Sequence, residues 1–143
     1  MAHTGTIIFM RNVPERPDNR ALTQPLDCLM FDGTVDQIPI DFEWDGSSSE
    51  LVYESESKFK KFLAWFITTP INFVTRSIFP RHKHPIASCR HDYRCSKAKN
   101  AEERLWNDGQ FKGDVGTTSS WIDKNVGYAG VRIGALLGIG NNF

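Results

Sequence analysis

Hydrophobic and polar positions change rhythm along this chain. Apolar residues first come in short runs: Ile7-Ile8-Phe9-Met10, then Cys28-Leu29-Met30-Phe31, then a segment from Val35 to Ile40. Short apolar segments bounded by turn residues predict strands. Asp32-Gly33 lies between the second and third runs, and this pair favours a hairpin because glycine takes the left-handed conformation freely. Pro39 has no donor for a ladder, so its strand is predicted to end there or to lie at an edge. Phe42-Glu43-Trp44 alternates once more before Asp45-Gly46-Ser47-Ser48-Ser49, a turn or cap cluster in which Glu50 offers the reciprocal capping contact.

From residue 58 the period becomes helical. Phe59, Phe62, Leu63, Phe66 and Ile67 fall on one face, and Trp65 widens the stripe. Pro70 is predicted to end or kink this helix, because its ring clashes with the preceding turn. Ile71, Phe73, Val74, Ile78 and Phe79 continue the apolar character less regularly. The stripe supports two readings: a helix buried against the sheet or a second helix, or an interfacial or subunit-contact helix with Lys58, Lys60 and Lys61 on its polar side. The exposed aromatic area separates them. Pro85 suits a first helical position, which predicts a helix from there to about Lys99. Another is predicted from Ala101 to about Phe111, interrupted by Gly109 and by Gly113-Asp114-Val115-Gly116. A last one follows Thr117-Thr118-Ser119-Ser120 and dissolves in the glycine-rich tail after Leu136.

Together these elements predict an α+β fold. A small N-terminal antiparallel hairpin or sheet packs on three to four helices, and an antiparallel helix pair carries His91 and Asp108. Residues 1–26, with their early apolar run and the proline-bearing Val13-Pro14-Glu15-Arg16-Pro17, read as an N-terminal arm; residues 27–143 read as a single domain.

Composition adds exclusions. With 143 residues the chain is long enough to hold a core without metal or disulfide. Lys plus Arg and Asp plus Glu are both 17, and this neutrality argues against a general nucleic-acid binder. Three cysteines, two of them flanking a histidine, fit reduced thiols in a protein made in the cytoplasm. The N-terminal apolar run does not read as a signal peptide, and no apolar stretch is long enough for a conventional membrane span.

Candidate chemistry concentrates in His82-Lys83-His84-Pro85-Ile86-Ala87-Ser88-Cys89-Arg90-His91-Asp92-Tyr93-Arg94-Cys95. On a helix, His84, Ser88, His91 and Cys95 share a face, a set that contains zinc-ligand types but matches no closed zinc motif. His84 equally reads as a cap. His91 is a candidate general base, and Asp92, about 100° away on the helix, a candidate ligand for a hard cation. A base of this kind needs an acid to hold its tautomer, and Asp108 on the next helix is placed for it; Glu102 and Glu103 are weaker candidates. A buried His91–Asp108 hydrogen bond that merely ties two helices is the structural alternative. Arg81-His82-Lys83-His84 with Arg90 and Arg94 forms a small basic patch, diluted by Asp92.

The order of four segments resembles the DUF1353 family, a set of small uncharacterised proteins common in bacteriophage genomes and prophages. The segments are Ile38-Pro39-Ile40-Asp41-Phe42-Glu43-Trp44-Asp45-Gly46-Ser47-Ser48, then Phe79-Pro80, then His91-Asp92-Tyr93, then Asp108-x-x-Phe111; Tyr128-Ala129-Gly130-Val131-Arg132 matches a late family helix loosely. The likeness covers about residues 28–134. Asp41 stands at a family glycine, Ser49-Glu50 replace a Pro-Arg, Arg94-Cys95 replace Leu-Tyr, and Asn107 replaces alanine. Locally, Cys89-Arg90-His91-Asp92-Tyr93-Arg94-Cys95 is also similar to the His-Asp helix of secreted phospholipases A2. That likeness implies His91 activating water, Asp108 orienting it, Asp92 binding calcium, and Asp45-Gly46-Ser47 standing in for the calcium loop.

Two functions follow as expectations. The first is a bacteriophage virion structural or assembly protein, built in the host cytoplasm, contacting other virion proteins or copies of itself and keeping a residual His-Asp site. No specific nucleic acid is expected, and the helix at 58–69 leaves room for peripheral membrane contact. The alternative is a calcium-dependent hydrolase with His91 and Asp108 as catalytic residues and Asp92 and Asp45 as metal ligands.

Overall fold

A computed structural model describes residues 9–46, 57–78, 83–116 and 120–136. Five short strands, β1 (Met10–Asn12), β2 (Arg20–Leu22), β3 (Leu26–Leu29), β4 (Val35–Ile38) and β5 (Glu43–Trp44), precede four helices, α1 (Lys58–Ile78), α2 (Pro85–Lys97), α3 (Ala101–Gly116) and α4 (Trp121–Leu136). The fold is α+β. The strands form two antiparallel sheets: β1-β2-β5, and the hairpin β3-β4 in which Leu26 faces Ile38 and Leu29 faces Val35. Residues 9–26, read from sequence as an arm, supply two strands of the first sheet, with Arg20 opposite Trp44.

The β3-β4 turn is built by Asp32-Gly33. Gly33 adopts φ +84°, and the Asp32 carboxylate accepts bonds from the Thr34 amide and hydroxyl at 3.0 and 2.6 Å. Strand β4 stops at Ile38, just before Pro39, whose missing donor cannot extend the ladder.

Helix α2 is central. One side closes a core of Leu22, Cys28, Met30, Ile38, Trp44, Cys89 and Tyr93. The other side sends Ala87 into a second core with Phe111 and Val115, against which Val126 and Val131 pack. Two arginines also fasten α2 to β3: Arg90 Nε donates to the Asp27 carbonyl at 2.9 Å and Arg94 Nε to the Leu29 carbonyl at 2.8 Å. Residues i and i+4 on a helix lie about 6 Å apart and residues i and i+2 on a strand about 6.6 Å, so the two spacings match. The guanidinium groups thereby cover carbonyls that a two-stranded sheet leaves unpaired. Of the basic patch, Arg94 and His84 are thus internal and Arg90 half-buried, while Lys83 stays exposed; Arg81 and His82 lie outside the described residues.

Two helices outrun their expected ends. Helix α3 continues to Gly116, although a stop near Phe111 was expected from its glycines. Each glycine costs about 1 kcal/mol relative to alanine, but Phe111 and Val115 are i, i+4 neighbours buried in the same core, and their burial holds the last turns together. Helix α1 does not end at Pro70. The proline removes one ladder bond, to the Phe66 carbonyl, and the adjacent Trp65 carbonyl accepts the Thr69 hydroxyl at 2.6 Å. The α1 N-terminus is capped by Ser57, whose hydroxyl accepts the Lys60 amide at 3.4 Å. The serines and Glu50 of the 47–50 cluster, the Phe79-Pro80 segment and the tail after Leu136 lie outside the described residues.

Candidate functional site

Asp108 is the hub of the site. It is fully buried on α3, and three cationic side chains from three helices converge on it. His91 Nε2 of α2 lies 2.7 Å from its Oδ1, Arg104 Nε of α3 donates to the same oxygen at 3.0 Å, and Arg132 Nη1 of α4 donates to Oδ2 at 2.8 Å. The preceding residue reinforces the helix pair: Asn107 Nδ2 donates to the His91 carbonyl at 3.0 Å and to Cys95 Sγ at 3.2 Å. Arg104 was not foreseen as a site residue, though it lies one helical turn before Asp108, the spacing of an intrahelical ion pair. Arg132 belongs to the late resemblance segment, but only tertiary packing brings it to Asp108.

The His91 ring is enclosed. Phe111 lies 5.0 Å away at an interplanar angle of 53°, and Cys95 Sγ is 3.9 Å from both ring nitrogens. Its Nδ1 is 3.7 Å from Asp92 Oδ1, too long for a hydrogen bond, and only 9% of the side chain is exposed. Burial by itself favours the neutral ring. The bond to Asp108 and smaller contributions from Asp92 and Cys95 together outweigh burial, and His91 is raised well above the ordinary histidine value. Burial likewise pushes Asp108 up, and His91 and Arg104 more than offset it, so Asp108 stays ionised below the usual carboxylate range. The Asp108 carboxylate thereby stabilises the imidazolium form of the ring.

Asp92 and Asp45, the two candidate cation ligands, do come together. Burial raises the Asp92 pKa, the proximity of His91 lowers it, and the nearby Asp45 carboxyl adds to the rise. Asp92 keeps 32% of its side chain exposed, and that solvent contact limits the effect. Two carboxylates are far fewer than the six to eight oxygens, roughly, that calcium takes. Among the described residues no set of three His, Cys, Asp or Glu side chains converges as a metal site. The described residues therefore do not by themselves make a calcium site.

The remaining members of the histidine-rich segment serve packing. His84 does not cap α2 with its side chain; its Nε2 lies 3.1 Å from Asp123 Oδ2 of α4, and Lys83 Nζ meets the same oxygen at 2.6 Å. Ser88 Oγ accepts the Trp44 indole N–H at 3.2 Å. The face His84, Ser88, His91, Cys95 is thus divided among separate partners. All three cysteines are free, and burial pushes the Cys89 thiol up to about 12. Family models, curated proteins and solved structures compared with the chain yield no match.

Proposed function

We propose that this protein works by docking rather than by catalysis, as a structural or assembly protein of a bacteriophage-type particle, built in the host cytoplasm and contacting other virion proteins or copies of itself. One observation carries the reading: large apolar side chains stand outside both cores along two helices. On α4, Trp121, Ile122 and Leu136 are 75%, 53% and 80% exposed, and the aromatic stripe of α1 is exposed as well. Large apolar side chains left exposed on helix faces mark interaction sites in soluble proteins. The ordered resemblance to the DUF1353 family supplies the phage context.

The hydrolase reading is the competitor. A general base must be neutral at the working pH to take a proton, and the Asp108 carboxylate, also bound by Arg104 and Arg132, favours the protonated form of His91 instead. The His91–Asp108 pair acts in this account as a pin that ties α2, α3 and α4 through one carboxylate.

Particle incorporation separates the two. In cells producing the particle, gradient-purified particles are assayed for the chain by mass spectrometry. His91→Gln, which keeps a donor for Asp108, is expected to incorporate like the unmodified chain, whereas Trp121→Ser/Ile122→Ser is expected to be lost from particles. Normal incorporation of the α4 variant with loss of function in His91→Gln contradicts the proposal.

A further inference from the structure

Helix α1 differs from the rest of the chain in both charge and exposure. Between residues 58 and 78 there is no acidic residue and there are four basic ones, Lys58, Lys60, Lys61 and Arg76, so the remainder of the neutral chain carries an acidic excess of four. Its described apolar side chains are all outside the core: Phe59, Phe62, Leu63, Trp65, Phe66, Ile67 and Phe73 are 45–75% exposed. At 100° per residue, Phe59, Phe62, Leu63, Phe66, Ile67 and Phe73 span an arc of about 140°. Lys58 and Lys61 lie off that arc, Lys60 borders it, and Trp65 falls on the lysine side. The helix is about 31 Å long, and no described helix is long and apolar enough to cross a membrane.

We infer that α1 lies flat on an anionic lipid surface, its aromatic arc in the acyl–headgroup boundary and its lysines among the headgroups. This rests on the reading of the exposed apolar surface as a docking surface and names the partner of its α1 portion. A wide apolar arc bordered by lysines, with tryptophan toward the charged side, is the pattern of a helix lying in a bilayer interface. A protein–protein helix pair needs only a narrower seam. Charge makes the same choice. Pairing α1 with α1 of a second copy sets basic residues against basic residues with no carboxylate between them. Several acidic groups of the described body are already engaged, Asp41 with Arg11, Glu43 with Arg16, Asp114 with Arg94, and Asp123 with Lys83. Anionic lipid supplies negative charge opposite the lysines, and juxtaposed lysines gain from it additively.

The test is partitioning of the full chain onto unilamellar vesicles, either pure phosphatidylcholine or the same lipid with about one third phosphatidylglycerol, read by co-sedimentation. Partitioning at least about tenfold stronger on the anionic vesicles is expected, together with a fall of about tenfold or more in Phe62→Ser/Phe66→Ser and loss of the anionic preference in Lys60→Glu/Lys61→Glu. These side chains are exposed, so unchanged thermal melts certify that the variants fold. Unmodified chain that binds anionic vesicles no better than Lys60→Glu/Lys61→Glu overturns the inference. Particle incorporation of the Phe62→Ser/Phe66→Ser chain then tells the two failures apart. If incorporation falls, a protein covers α1 and the docking reading stands; if it does not, α1 has no docking role either.

Discussion

Asp41 shows how a single residue reconciles sequence and backbone. It is the one non-glycine residue with positive φ among those described, at +69°. Aspartate tolerates this left-handed conformation better than most residues, and its carboxylate bonds Arg11 at 3.1 Å on the surface. Replacing it tests the backbone demand. Asp41→Gly is expected to match or exceed the stability of the unmodified chain, because an exposed ion pair is worth about 0–1 kcal/mol. Asp41→Val is expected to lose about 1–2 kcal/mol, and urea unfolding of both measures the difference. At Ser88 the balance is different. Ser88→Ala strands the buried Trp44 indole donor, an expected loss of about 1–3 kcal/mol by the same measurement.

At the scale of elements, the packing of α2 on β3 depends on two arginines whose role their own sequence neighbourhood does not reveal. Arg94 is 2% exposed, donates to the Leu29 carbonyl, approaches Asp114 at 3.5 Å and stacks over Trp106. Arg94→Met keeps much of the apolar stem but removes the donor, and the expected loss is about 1–3 kcal/mol, with faster amide exchange in β3 and β4. A chain that keeps both its stability and its exchange protection contradicts the stapling role. The β3-β4 hairpin and the start of α2 were legible in sequence because Asp32-Gly33 and Pro85 act through local backbone geometry. The end of α3 was not, because the cost of its glycines is local whereas the burial of Phe111 and Val115 depends on α2 and α4. The stripe of α1 was legible as a helix but not as an exposed one, since the same periodicity serves a core face and a docking face. The His91–Asp108 pairing followed from antiparallel helices with a short link, while the convergence of Arg132 on the same carboxylate required the position of α4.

Across the whole molecule, one buried carboxylate joins three helices, so its ionic state is coupled to global stability. Removing one partner of a buried ion pair costs about 3–5 kcal/mol, and Asp108→Ala, which leaves His91, Arg104 and Arg132 facing an empty site, is expected to lose at least that much. The pH dependence has a definite sign. His91 titrates higher in the folded chain than in the unfolded one, so its contribution is complete below about 6.5 and is lost as pH rises toward the folded value. Asp108 titrates lower when folded, so its contribution is present above about 3.9 and is lost as pH falls through its folded value. Urea midpoints are therefore expected to decline on the alkaline side of neutrality, and His91→Gln to remove that decline.

The distinction between a helix-tying pin and a catalytic base rests on the protonation of one imidazole. Nitrogen-detected NMR of the His91 ring in the full chain, titrated through neutrality, reads it directly. Both ring nitrogens are expected to remain protonated at pH values well above the ordinary histidine value of about 6.5. A His91 ring that is neutral at pH 7, with an unprotonated Nδ1, would contradict it.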